Sequence, residues 1–218
     1  MKKRILIIAM SFIVLVMTIA GATTAYFTDT DDATNEFTVG KVDITLTQET
    51  NVSGETKVFP GQSYAVNPTI TVAADSEDAY VGATITLKNV VVDTAATKIF
   101  RKADDTLDTE AVYNFLSDMV STGYYVNYAI SGSDVVITLV YNERISAGGS
   151  IKLFSNVTIP ATWNHGEMEN LKDFDVVVNA YAVQTVGFEA QGAAVALNAA
   201  FTSVGFPTAS NYTPVTNP

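Results

Sequence analysis

In FTVGKVDITLTQ, residues 37 to 48, apolar Val42, Ile44 and Leu46 alternate with Asp43, Thr45 and Thr47. A period of two puts the first set on one face of a strand and the second set on the other. The signature returns in YAVNPTITVAA, after the turn signal Pro60-Gly61. It then recurs in AYVGATITLKNVVV, YYVNYAISG, DVVITLVYN, SIKLFSNVTIPATW and DFDVVVNAYAVQTV. Turns rich in Gly, Ser and Asp separate these stretches. ISGSDVVITLVY reads as a hairpin across Gly132 and Ser133, and ERISAGGSIKL as a connection through Gly148 and Gly149.

One stretch breaks the pattern. DTEAVYNFLSDMVSTG places Val112, Tyr113, Leu116, Met119 and Val120 at three- and four-residue spacing, which is one face of a helix over 108–121. Asp108 suits its N-cap and Gly123 its stop. A weaker helical stretch is GAAVALNAAF near the end. Seven or eight strands with one or two short helices predict a mainly β, antiparallel sandwich. Helices do not alternate with strands, so parallel βαβ units are not expected. There is no internal repeat. The closing PTASNYTPVTNP is polar and Pro-containing, and reads as a flexible tail.

The N-terminus has a different pattern. Lys2, Lys3 and Arg4 precede an almost wholly apolar run from Ile5 to Ala20. A spanning helix needs about 20 apolar residues. This run is shorter, and no basic stop-transfer cluster follows it. That order is the pattern of a secretory signal peptide, with an uncleaved N-terminal anchor as the rival. Small residues offer cleavage after Ala25 or, alternatively, after Ala22. A cut after Ala25 leaves 193 of the 218 residues, and losing three positive charges takes the net charge from −11 to −14.

That acidity argues against nucleic acid, whose phosphates need a basic surface. It suits a self-repelling exported protein, and it makes acid-promoted association an expectation. The chain has no cysteine, which excludes disulfides, thiolate catalysis and Cys-ligated metals. His165 is the single histidine. With Glu167 and Glu169 in HGEME it cannot build a zinc-protease site, which needs a pair of His at helical spacing. Asp29, Asp31, Asp32 and Glu36 space like calcium ligands, but the turn Gly is missing and the twelfth position is Gly40. No Gly-x-Ser-x-Gly elbow or phosphate loop is present. The Asn-x-Ser/Thr triplets at Asn51, Asn156 and Asn211 are expected by chance in so Asn- and Thr-rich a chain. The sequence therefore predicts no catalytic residue, no metal and no cofactor, and favours a structural or binding protein.

Four segments, in order, carry a family resemblance: GATTAYFTDTDDATNEFTVGKVDI, VFPGQSY, GGSIKLFSNVTIPATWNHGE and VVVNAYAVQTVGFEA. With them the chain resembles the TasA and camelysin family of exported Gram-positive surface proteins. The resemblance implies a jelly-roll β-sandwich, removal of the leader by a dedicated signal peptidase, and polymerisation into biofilm-matrix fibres. It also implies a donor strand given by each subunit to the next. Here that strand is residues 26 to 39, with Tyr26, Phe27, Thr28, Phe37 and Val39. The implied partners are further copies of the chain, the signal peptidase and other matrix proteins. The membrane is met only through the uncleaved leader. The layout is then 1–25 signal peptide, 26–39 donor segment, 40–206 sandwich and 207–218 tail. Two alternatives stand beside this reading. One is a camelysin-like cell-surface metalloprotease, and the other a monomeric accessory or adhesion module.

Overall fold

Two strand-forming stretches, 63–72 and 150–158, pair along their length and bend together. A computed structural model of the chain describes residues 41–48, 58–90, 99–119, 123–163 and 174–210. In it the first stretch divides into β2 (Ser63–Ala65) and β3 (Thr69–Val72), and the second into β8 (Ser150–Lys152) and β9 (Asn156–Thr158). The division has a backbone cause. Asn67 has φ 45° and Pro68 has no N–H to give a ladder. Across the bend, Val66 and Asn67 both donate to the Ser155 carbonyl, and Leu153 donates to that of Pro68. Two stretches read from the sequence as single strands thus serve two sheets each.

β3 and β8 join β1 (Ile44–Thr47) in a sheet of order β1-β3-β8. β2 and β9 join β5 (Leu116–Ser117) in the order β2-β9-β5. The hydroxyls of Ser63 and Ser117 lie 2.7 and 2.6 Å from that of Thr158, so one threonine links all three strands of the second sheet. A four-stranded sheet completes the described fold. It comprises β4 (Ala79–Lys88), β6 (Tyr124–Ser131), β7 (Asp134–Tyr141) and β10 (Asp175–Gln184), in the order β10-β4-β7-β6. Every pairing is antiparallel. The mainly β, antiparallel sandwich expected from the alternation is therefore the fold. β6 and β7 meet as Ser131 opposite Asp134, so Gly132-Ser133 is the two-residue hairpin turn, with Gly132 at φ 63°.

The core lies on one face of the four-stranded sheet. Val81, Ala83, Ile85 and Leu87 of β4 and Val135, Ile137 and Leu139 of β7 are at most 1% exposed. They join Ile70 and Val72 of β3 and Leu153, Phe154 and Val157 near the bend in one cluster. The opposite face is covered at one end by α2 (Ala193–Ala200), the second predicted helix, through Tyr80, Val140, Leu197 and Phe206.

The first helix, α1 (Thr109–Phe115), starts as expected, with the Asp108 carboxylate accepting from the Ala111 amide at 3.1 Å. It stops six residues short of the predicted end. Leu116 and Ser117 leave it to pair with Val157 and Asn156 of β9, whose backbone needs that partner. Val112, Leu116 and Met119 are buried as the spacing required, although a helix carries only the first of them. Gly123, expected as the helix stop, precedes β6 at φ 79°. The tail expected to begin at 207 is anchored as far as Ser210, which bonds to β6.

Candidate functional site

β10 is the longest edge of the described fold. It runs for ten residues and pairs along all of them with β4, on one side only. Its orientation follows from a bond just past its end, where the Thr185 amide donates to the Asp78 carbonyl. Odd-numbered residues therefore turn their backbone toward β4. Val176, Val178, Ala180 and Ala182 turn theirs to the free edge. The same four side chains face the core and are only half-buried.

On the neighbouring sheet, β1 also pairs on one side alone among the described residues, and its Cα atoms come within 8 Å of β10. Its inward Ile44 and Leu46, with Val42 just before it, are half-buried too. Two sheet edges thus meet around apolar positions that the core does not finish covering. Along the edge Val176 and Val178 are followed by the smaller Ala180 and Ala182. β10 carries one charge, Asp175, at its start. An edge of this kind, long and nearly uncharged, lacks the Lys and Pro guards of ordinary edge strands.

The resembling motifs take up structural positions in the fold. Pro60-Gly61 turns into β2 with Gly61 at φ 78°, and the Gly61 amide donates to Ile159 at 2.9 Å. The Tyr64 hydroxyl receives the Phe59 amide at 3.0 Å and donates to Gln62. Trp163 joins Phe100, Phe115 and Phe174 in an aromatic group with ring centroids 5.2 to 6.0 Å apart. VVVNAYAVQ is β10 itself, and the Gly187 amide after it donates to the Glu189 carboxylate at 2.9 Å.

Ala22, Ala25, Tyr26, Phe27, Thr28, Phe37 and Val39 lie outside the described residues, as do Asp29, Asp31, Asp32, Glu36, His165, Glu167 and Glu169. The sequence pointed to the donor segment and missed the edge that could receive it. A signal was present: DVVVNAYAV is apolar at successive positions, as a strand with two demanding faces would be.

Residues 1–71 match the family model described as camelysin metallo-endopeptidase. The match spans the first third of the chain and takes in two of the four resembling segments, GATTAYFTDTDDATNEFTVGKVDI and VFPGQSY. No curated protein and no solved structure matches the chain significantly. The family's description implies a metal, but among the described residues no three His, Cys, Asp or Glu side chains come together to hold one. The described donor set does not fit a zinc site. Among the described residues no helix is long and apolar enough to cross a membrane.

Proposed function

We propose that this protein is a secreted structural subunit that polymerises by strand addition. Residues 26 to 39 of one copy lie along the free edge of β10 in the next. The observation that carries the reading is the ten-residue β10 edge, with half-buried Val176, Val178, Ala180 and Ala182 beneath it. An added strand would pair with its outward N–H and C=O groups and cover those side chains, the two gains of β-augmentation. Fourteen extended residues reach roughly 46 Å at about 3.3 Å each, enough to follow all of β10. Donor and acceptor lie on different parts of one chain, so the contact is head-to-tail and propagates into a filament. Release of the leader, after Ala25 or Ala22, would free the donor.

Ala180→Pro tests this directly. The Ala180 amide faces the free edge, so its loss spares the ladder to β4. The expected result is a folded monomer that forms no fibres in electron micrographs, and the same for deletion of Tyr26 to Asn35. Fibres from either variant would refute the assignment. The family description keeps a peptidase reading in view. Casein hydrolysis abolished by a chelator and by His165→Ala would establish it, and absent hydrolysis would remove it.

A further inference from the structure

The chain enters its folded part at a fixed place. The Lys41 carbonyl accepts from the Glu77 amide and from the Ser76 hydroxyl, each at 3.1 Å. That hydroxyl also accepts from the Asp43 amide at 3.1 Å, and the Asp43 carbonyl accepts from the Ala73 amide at 2.9 Å. Asp78, the residue after Glu77, takes the Thr185 amide at 3.1 Å, and Ala79 lies opposite Gln184. The loop between β3 and β4 therefore ties Lys41 to the end of β10 that finishes at Gln184. Residues 26 to 39 depart from the domain at that end.

This placement couples strand polarity to the closure of an assembly. A donor lying antiparallel to β10 of the next copy has residue 39 at the Asp175 end. The domain it comes from then sits beyond that end, with its own Gln184 end turned toward it. Every junction repeats this order, Gln184 end to Asp175 end, and the series stays open. A parallel donor has residue 39 at the Gln184 end, so two Gln184 ends face each other. Each donor then starts beside the other copy's edge, and the exchange closes at two copies. The same polarity results if the segment folds back onto its own β10.

Sequence and fold favour the antiparallel case. Every described strand pairing is antiparallel, and such ladders are slightly the more stable per residue. With Val39 opposite Val176, Phe37 falls opposite Val178 and Ala33 opposite Ala182. Asp31 is carried past the half-buried positions to Gln184. A parallel donor with Val39 opposite Gln184 puts Asp31 opposite Val176, on the face packed against the core. An unpaired carboxylate is costly there.

We propose that the donor segment enters β10 of the next copy from the Asp175 end and runs antiparallel to it. This polarity, set by the tie of Lys41 to Ser76 and Glu77, keeps the assembly an open filament instead of a closed pair. The inference rests on the strand-addition reading above and adds its direction and register.

The test uses the full exported chain, in which introduced cysteines are unambiguous because it has no other. Val177→Cys is combined with Thr38→Cys in one variant and with Asp32→Cys in a second. The same residue of β10 meets Thr38 in the antiparallel register and Asp32 in the parallel one. Assembled samples are oxidised and run on non-reducing gels. The expected result is a ladder of covalent oligomers extending past dimers from the Thr38 pair, and no cross-link from the Asp32 pair. Asn179→Cys with Glu36→Cys, at an exposed position of β10, repeats the antiparallel arm should Val177→Cys fail to fold. Cross-linking from the Asp32 pair instead, within one chain or as dimers alone, would overturn the polarity and leave strand addition at β10 standing. No cross-link from any of the three pairs would overturn the polarity together with the β10 contact, as fibres from Ala180→Pro would overturn that contact by themselves.

Discussion

Gly82 sits where β4 passes beneath α2, and adding one methyl group there tests how the outer layer is held. A Cβ built on Gly82 would lie 2.5 Å from Phe206 Cε1, 3.0 Å from Leu197 Cδ1 and 3.1 Å from the Leu139 carbonyl oxygen. Ordinary contacts begin near 3.4 Å, so the Phe206 ring must retreat by roughly 1 Å for a normal packing distance. It has little room to do so. Phe206 is 4% exposed, its ring packs edge-on against Tyr181 with centroids 5.4 Å apart, and its backbone is tied to Asn198. Overpacking of a fixed site costs about 1–3 kcal/mol. Taking about 2 kcal/mol, a chain of this size should lose roughly 4–8 °C in Tm. Gly82→Ala is therefore expected to unfold that much earlier by calorimetry. Phe206→Leu, which shortens the offending side chain, should make the same glycine change cheaper by about 1 kcal/mol in a double-mutant cycle. A Tm within 1 °C of the parent, or strictly additive effects, would show that Phe206 and α2 do not rest on Gly82 as described.

Two further outcomes follow from single side chains. Asp108→Ala removes the carboxylate that receives the Ala111 amide and should cost about 1 kcal/mol, measured by urea denaturation; no change would mean that α1 starts without this cap. Burial, reinforced by the neighbouring Tyr141, pushes the Tyr124 phenol above its ordinary value of 10.0. The neutral phenol is thus favoured by folding, so its contribution is complete below about pH 10 and is lost as pH rises through the folded value. Thermal unfolding from pH 8 to 12 should show an alkaline fall in stability that Tyr124→Phe reduces, and an identical fall in both proteins would place the sensitive group elsewhere.

Local sequence determined the elements whose causes are local. Alternation assigned the two faces of β1 and marked the stretches of β4, β6 and β7 as strands, because a strand's period is a property of its own backbone. The Gly132-Ser133 hairpin and the Asp108 cap were legible because turns and caps are closed by residues only a few positions apart. The donor residues Tyr26, Phe27, Thr28, Phe37 and Val39 rest instead on the family resemblance, and they lie outside the described residues. Tertiary structure decided what depended on distant partners. Leu116 and Ser117 have the spacing of a helix but become a strand because β9 lies beside them, some forty residues away in sequence. Residues 63–72 and 150–158 each look like one strand, yet they bend together and serve two sheets. Whether β6 and β10 lie inside a sheet or at its edges is invisible to periodicity, since a central and an edge strand share the same alternation. The edge that could accept a neighbour exists only once the whole sheet has assembled.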